Sequence, residues 1–165
     1  MCLTQTRTTC LLATTDACGL YALFYKGDHP LYQAVSSPEA RIPLYVGLSQ
    51  TVGRRLGAHY GTLSDAFDLD PADFLCRFIR VSGFSIKGAE DEAIKVHLRY
   101  PWWNHPKFQG FGNAGSPRVG KGASTWDHIH PGRPRANGYT RTPNAQQLLD
   151  VAIAHKERGF IEVFE

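Results

Sequence analysis

Three stretches of the chain have the hydrophobic pattern of β-strands. Residues 19–24 (GLYALF) and 41–47 (RIPLYVG) are rich in aromatic and aliphatic side chains, and residues 73–81 (DFLCRFIRV) alternate apolar and polar positions. The connection between the first two is short and interrupted by proline, so it cannot form a crossover helix. We therefore expect an antiparallel pair, preceded by a polar stretch of about 17 residues.

Three other stretches have the pattern of helices. They lie at about 52–60, at 88–100, where acidic residues occupy the first turn, and at 144–158. Residues 159–165 (GFIEVFE) predict a short final strand. The order of elements predicts an α/β fold on a small mixed sheet flanked by helices, with a long basic loop segment.

The length and composition indicate one soluble domain. The chain has 165 residues, of which 42% are hydrophobic and 20% charged, values typical of a single domain over residues 1–165. We expect a core at about 19–104, a basic segment at about 105–143 and a C-terminal helix and strand at 144–165. No apolar run is long enough to span a membrane, and no secretion signal is recognisable. Four scattered cysteines without a C-x-x-C pair fit a reducing compartment, so we expect a cytoplasmic location.

Positive charge is concentrated in the glycine-rich segment 107–141. This segment holds six basic residues and one acid, a net charge of +5, whereas the whole chain carries +3. Seven of the sixteen glycines lie there, so we predict an irregular basic loop rather than a charged helix face. Such a loop is compatible with nucleic-acid binding and also with a simple solvated surface.

Six polar side chains occur in a characteristic order along the predicted elements. They are Tyr21, Tyr45, Arg55, His59, Glu92 and Asn104. Tyr21 belongs to a G-L-Y strand and Tyr45 begins Y-V-G, while Arg55 and His59, four residues apart, share one face of the predicted helix. This ordered set resembles the GIY-YIG nuclease superfamily, whose core is a three-stranded antiparallel sheet flanked by helices.

A second resemblance lies in residues 110–137 (GFGNAGSPRVGKGASTWDHIHPGRPRAN). This run is similar to the signature segment of GIY-YIG type II restriction endonucleases, in the branch whose studied members cut the palindrome CCGCGG. That branch also has a long insertion between the tyrosine motifs, and here 23 residues separate Tyr21 from Tyr45. The chain departs from many members at Leu48, where they carry a lysine. The help that this lysine gives to the catalytic tyrosine is therefore missing or supplied by another group.

The resemblance implies how the phosphate would be handled. Glu92 would bind one Mg²⁺ per active site, since this hard cation prefers carboxylate and water oxygens. The neighbouring acids Glu90 and Asp91 compete for that role. Arg55 would stabilise the charge that develops at phosphorus, because its guanidinium can donate to two oxygens at once.

The resemblance also implies how the attacking water would be activated. Tyr21 would deprotonate the water directly or by relay, and a phenol with a pKa of about 10 needs help to do so at neutral pH. His59 is the candidate for this help. Tyr45 would orient the water or the phosphate, and Asn104 would fix the geometry of the site through hydrogen bonds.

The implied partner is double-stranded DNA. We expect a homodimer on a palindromic site, because two identical active sites related by a two-fold axis cut both strands, and a functional pairing with a DNA methyltransferase. The expected DNA contacts are Arg54, Lys107, Arg118, Lys121, Arg133 and Arg135. Together these features predict a Mg²⁺-dependent, site-specific endonuclease.

Other interpretations of the same residues remain open. The tyrosines, the arginine, the histidine and the acid of the ordered set are each compatible with structural roles. Residues 127–131 (DHIHP), with Asn144, also resemble part of the HNH nuclease motif, in which a histidine activates water beside a metal. A structure-specific or toxin nuclease of the GIY-YIG fold and a catalytically weak DNA-binding module are further alternatives. We expect Trp102 and Trp103 to be core or interface residues rather than base-stacking platforms.

Overall fold

The computed structural model contains a four-stranded sheet. It describes residues 17–33, 35–81 and 123–134, the single residues 92, 103 and 111, and the backbone of the strand at 5–8. The strands are β1 (Gln5–Thr8), β2 (Gly19–Tyr25), β3 (Pro43–Ser49) and β4 (Phe74–Arg80). Their order across the sheet is β1-β4-β2-β3, and each of the three described pairings is antiparallel.

Two α-helices and two short 3-10 helices lie wholly within the described residues. The α-helices are α1 (Val52–Ser64), between β3 and β4, and α2 (Thr125–Ile129), in the basic segment. The 3-10 helices span Pro30–Tyr32 and Pro71–Asp73. The buried positions of α1 recur every three or four residues, as in a helix packed along one side: Val52, Leu56, His59 and Leu63.

The three predicted core strands and the first helix are confirmed. Each strand boundary differs from the prediction by at most two residues, and the sheet is antiparallel rather than mixed. Helix α1 continues to Ser64 because Leu63 extends its buried face. The strand β1 was not predicted, since Gln5–Thr8 has no apolar alternation. It pairs with β4 through the backbone, which needs no particular side chains.

The remaining predicted elements are only partly within the described residues. Glu92 is helical, as the helix predicted at 88–100 requires, but the rest of that helix, the helix at 144–158 and the strand at 159–165 lie outside the description. The basic segment contains the helix α2, where an irregular loop was predicted. In the described part of the chain, no helix is both long and apolar enough to span a membrane.

The core lies between α1 and one face of the sheet. Alternate residues of β2 face it, and each is paired across β4 with another buried side chain: Tyr21 with Phe78, Leu23 with Cys76, and Tyr25 with Phe74. Trp103, Phe111 and Trp126 are buried in the same core, so Trp103 is a core residue as expected. The buried side of α1 therefore contacts the strand face that carries Tyr21.

Candidate active site

The glycines of the two tyrosine motifs make room for close contacts. Gly47 is paired with Tyr21 across β2 and β3, and a Cβ at position 47 would lie 2.6 Å from the Tyr21 hydroxyl oxygen. The Tyr21 ring thus lies directly over the backbone of β3. A Cβ at Gly19 would lie 2.4 Å from the carbonyl oxygen of Ile79, so this glycine permits the close approach of β2 and β4. Both positions require glycine for steric reasons.

The Tyr21 hydroxyl is the meeting point of three side chains. His59 Nε2 lies 2.7 Å from the hydroxyl oxygen, and Arg55 Nε donates a hydrogen bond to the same oxygen at 3.3 Å. Both partners come from α1 at a spacing of four residues, which places them on one face of the helix. The sheet supplies the phenol and the helix supplies the imidazole and the guanidinium.

Burial sets the protonation states of this group. It lowers the pKa of His59 to about 3, and the nearby positive charge of Arg55 acts in the same direction. Burial also raises the pKa of Tyr21, and Tyr45 adds to this effect while Arg55 opposes it. At neutral pH the ring of His59 is therefore uncharged and the phenol keeps its proton. In this state Tyr21 donates to His59 Nε2 and accepts from Arg55.

Two further aromatic rings enclose the imidazole. Tyr45 of β3 is half-buried and meets the His59 ring edge to face, with ring centroids 5.1 Å apart. Phe111 is stacked on His59 with a centroid distance of 4.6 Å and an angle of 10° between the ring planes. Phe111 lies in the predicted basic segment, and the sequence analysis assigned it no role. The G-F-G run around it gave no indication of a contact with the helix.

Most of the remaining predicted site residues lie outside the residues that the structure describes. Glu92 is an exposed helical residue, and Arg54 is exposed on α1. Those outside the described residues are Asn104, Lys107, Arg118, Lys121 and Arg135. Their predicted roles stay predictions.

The placement of Arg133 differs from the predicted DNA contact. Its side chain is only 2% exposed, forms an ion pair with Asp127 and lies over the Trp126 ring, with 4.6 Å between the guanidinium carbon and the ring centroid. Asp127 also accepts hydrogen bonds from the backbone N–H and the hydroxyl of Ser124, the N-cap residue of α2. Arg133 therefore stabilises the local fold of this segment, and a buried guanidinium cannot reach a DNA phosphate.

Leu48 lies on the other side of the sheet from the phenol. It is paired with Leu20, whereas Tyr21 is paired with Gly47, so the alternation of the strands separates the two positions. Leu48 is partly buried. The contacts among the phenol, the imidazole and the guanidinium form without a basic side chain at position 48.

A second polar cluster contains possible metal ligands. His29, Asp68 and His130 place one ligand atom each within 4.8 Å of one another. Asp68 Oδ2 lies 2.9 Å from His130 Nδ1 and 3.4 Å from His29 Nε2. The other ring nitrogens are also engaged: His29 Nδ1 accepts from the Leu31 amide, and His130 Nε2 is hydrogen-bonded to the Tyr32 hydroxyl. A carboxylate that bridges two N–H donors accounts for every one of these atoms, so the cluster needs no metal.

This bridging state agrees with the charge of Asp68. Partial burial acts against ionisation, but hydrogen bonds from His130 and His29 lower the pKa of this carboxyl well below its usual range. The cluster joins the loop after β2, the loop after α1 and the segment after α2. It therefore holds the segment that contains α2 against the rest of the fold.

A phenol, an imidazole and a guanidinium on the face of an antiparallel sheet form the kind of site that the GIY-YIG resemblance implies. The sequence profile of the Eco29kI GIY-YIG domain family matches residues 48–156, about two thirds of the chain. The chain belongs to this family. The matched range begins after Tyr21 and Tyr45. Both tyrosines nevertheless contact His59, which lies inside the matched range. No curated protein is significantly similar in sequence.

Proposed function

We propose that the chain is a Mg²⁺-dependent endonuclease that hydrolyses double-stranded DNA at a specific site, as type II restriction enzymes do. Membership of a GIY-YIG nuclease family supports a DNA substrate. The observation that carries the proposal is the 2.7 Å contact between the Tyr21 hydroxyl and His59 Nε2, with Arg55 at the same oxygen. These groups can supply a proton relay and a fixed positive charge at one point, and phosphodiester hydrolysis uses both.

In the proposed reaction, a water molecule attacks phosphorus and transfers a proton to the Tyr21 oxygen. The bond between phosphorus and the leaving sugar oxygen breaks, and that oxygen takes a proton from a second water molecule. Tyr21 transfers its own proton to His59 Nε2, which is available because the ring is neutral. The positive charge of Arg55 lowers the pKa of His59. The negative charge of a bound phosphate opposes this effect and so raises the pKa of His59 towards that of a useful base. Arg55 stabilises the negative charge that develops on the phenol oxygen and on the phosphate.

The described residues that fit Mg²⁺ are carboxylates rather than the histidine cluster. Glu92 is exposed on a helix, which suits a cation that keeps several waters and takes one or two carboxylates. Two of the three possible ligands in the cluster of His29, Asp68 and His130 are imidazoles, which suit softer metals. Glu92 would hold the ion, and Mg²⁺ when bound would neutralise charge on the scissile phosphate.

The dimeric and site-specific parts of the proposal follow from the symmetry of the substrate. Two identical active sites related by a two-fold axis cut both strands of a palindrome. The segment 107–141, with a net charge of +5, would supply contacts to DNA phosphates. CCGCGG is the first palindrome to test, because the sequence resembles the branch that cuts it. A methyltransferase acting on the same site would then protect the cell's own DNA.

Replacement of Tyr21 by phenylalanine tests the relay. Tyr21→Phe removes one oxygen but keeps the buried ring, so we expect cleavage to fall at least ~10²-fold while the protein stays folded. Tyr60→Phe is the matched control, because Tyr60 lies on α1 and is 36% exposed. The measurement is single-turnover cleavage of phage DNA and of a CCGCGG duplex in Mg²⁺. Unimpaired cleavage by Tyr21→Phe would contradict the proposal.

Two further variants separate this proposal from the HNH interpretation. The Asp127 side chain is 7% exposed and bound by Arg133, which disfavours a metal site at this motif. We therefore expect Glu92→Ala to abolish cleavage and His128→Ala to retain most of it. Near-normal cleavage by Glu92→Ala would reject the active-site assignment. Discrete fragments that end at one sequence identify a restriction enzyme, whereas a smear identifies a nonspecific nuclease.

A further inference from the structure

Phe111 covers one face of the His59 ring. The two rings are nearly parallel, with centroids 4.6 Å apart, and Phe111 is 1% exposed. Trp103 and Trp126 hold Phe111 from behind, at centroid distances of 4.2 and 5.4 Å. The phenylalanine is thus fixed in place by the core, although it lies far along the chain from α1.

Among the described residues, the polar groups that act on His59 come from β2, β3 and α1. The Tyr21 hydroxyl approaches from β2 and the Tyr45 ring from β3, while the charge of Arg55 comes from α1 itself. The side formed by Phe111 offers neither a hydrogen bond nor a charge. Removal of the Phe111 ring would therefore admit water to the His59 imidazole and would leave the imidazole free to turn away from Tyr21.

We infer that Phe111 is a positioning residue, which holds the His59 ring against the Tyr21 hydroxyl and excludes water from it. Its importance for catalysis rests on the proposed nuclease function, but its effect on His59 does not. A cation above an aromatic face is attracted to it, which alone would favour a charged imidazole. Burial, the largest cause of the lowered pKa of His59, acts in the opposite direction.

The titration of His59 in the full-length protein without DNA tests the inference directly. NMR spectra of the histidine rings, assigned with a His59→Gln variant, follow the imidazole from pH 2 to 8. We expect Phe111→Ala to raise the pKa of His59 by at least one unit, a tenfold change in its protonation ratio, through hydration of the ring. Phe111→Leu should restore most of the wild-type value, since leucine also excludes water. Phe67→Ala is the matched control, because Phe67 is 81% exposed.

The cleavage assay then tests the catalytic consequence. We expect Phe111→Ala to lose at least ~10-fold in single-turnover rate and to acquire a fall in rate on the acid side, where His59 becomes protonated. Phe111→Leu should recover most of the rate, and Phe67→Ala should match the wild type. An unshifted His59 titration in both Phe111 variants would overturn the inference, whether or not the wild type cuts DNA. A shifted titration with undiminished cleavage would overturn the positioning role. An inactive wild type would refute the proposed function while the titration still decides whether Phe111 shields His59.

Discussion

Gly47→Ala should displace the Tyr21 hydroxyl and reduce cleavage while the protein still folds. The added Cβ would lie 2.6 Å from the Tyr21 hydroxyl oxygen and 2.7 Å from the ring carbon that bears it. Ordinary contacts of this type begin at 3.4 Å, so the phenol must move by about 0.8 Å, the difference between 3.4 and 2.6 Å. Because Tyr21 is 1% exposed and closely packed, the strain falls on its 2.7 Å hydrogen bond to His59.

We expect a loss of about 10²-fold in single-turnover cleavage, the cost of misplacing a reacting group by roughly 1 Å. The overpacked core should lose ~1–3 kcal/mol of unfolding free energy, which urea denaturation measures. Gly57→Ala is the matched control, since a Cβ there meets no atom within 4 Å. It should cut normally and gain up to ~1 kcal/mol from helix propensity. If folded Gly47→Ala cuts DNA within about threefold of Gly57→Ala, the steric argument is wrong.

Three other predictions follow from the described contacts. The folded-state pKa of His59, about 3, lies below its ordinary value of 6.5, so the unfolded state binds an extra proton and His59 makes stability fall as pH drops below 6.5. The slope is ~1.4 kcal/mol per pH unit. Urea unfolding between pH 5 and 7 should show it, and His59→Gln should remove that share. Arg133→Ala should lower the free energy of unfolding by ~3–5 kcal/mol, because it leaves the buried Asp127 carboxylate without its ion-pair partner. Arg54→Ala, at an exposed position, should leave the melting temperature unchanged and should reduce the salt dependence of DNA binding. Arg55→Lys keeps the charge but loses the Nε contact, so cleavage should fall while DNA affinity measured by fluorescence anisotropy is retained; equal cleavage would refute the need for this contact.

Local patterns predicted the elements that their own residues determine. The alternation along the core strands and the spacing of Arg55 and His59 predicted the strands and the shared helix face, whereas only the family resemblance linked Tyr21 to that face. The burial of Arg133 depends on an ion pair and a ring contact that form only when the segment after α2 folds back on itself. The sequence signal for the helix α2 was the capping pattern from Ser124 to Asp127, which the high glycine and proline content of the segment obscured. The stack of Phe111 on His59 joins residues 52 positions apart and has no local signal.

The basic segment is fixed at two points of the described structure, which would lower the entropy cost of the proposed DNA binding. Phe111 is held in the core, and the chain is fixed again where α2 begins at Thr125. Arg118 and Lys121, two of the predicted DNA contacts, lie between these points in the sequence. A stretch of chain with both ends fixed has fewer conformations to lose than a free arm of the same charge, so part of the cost of ordering these side chains on DNA would be met during folding. Loosening either anchor should therefore weaken DNA binding without removing a single positive charge.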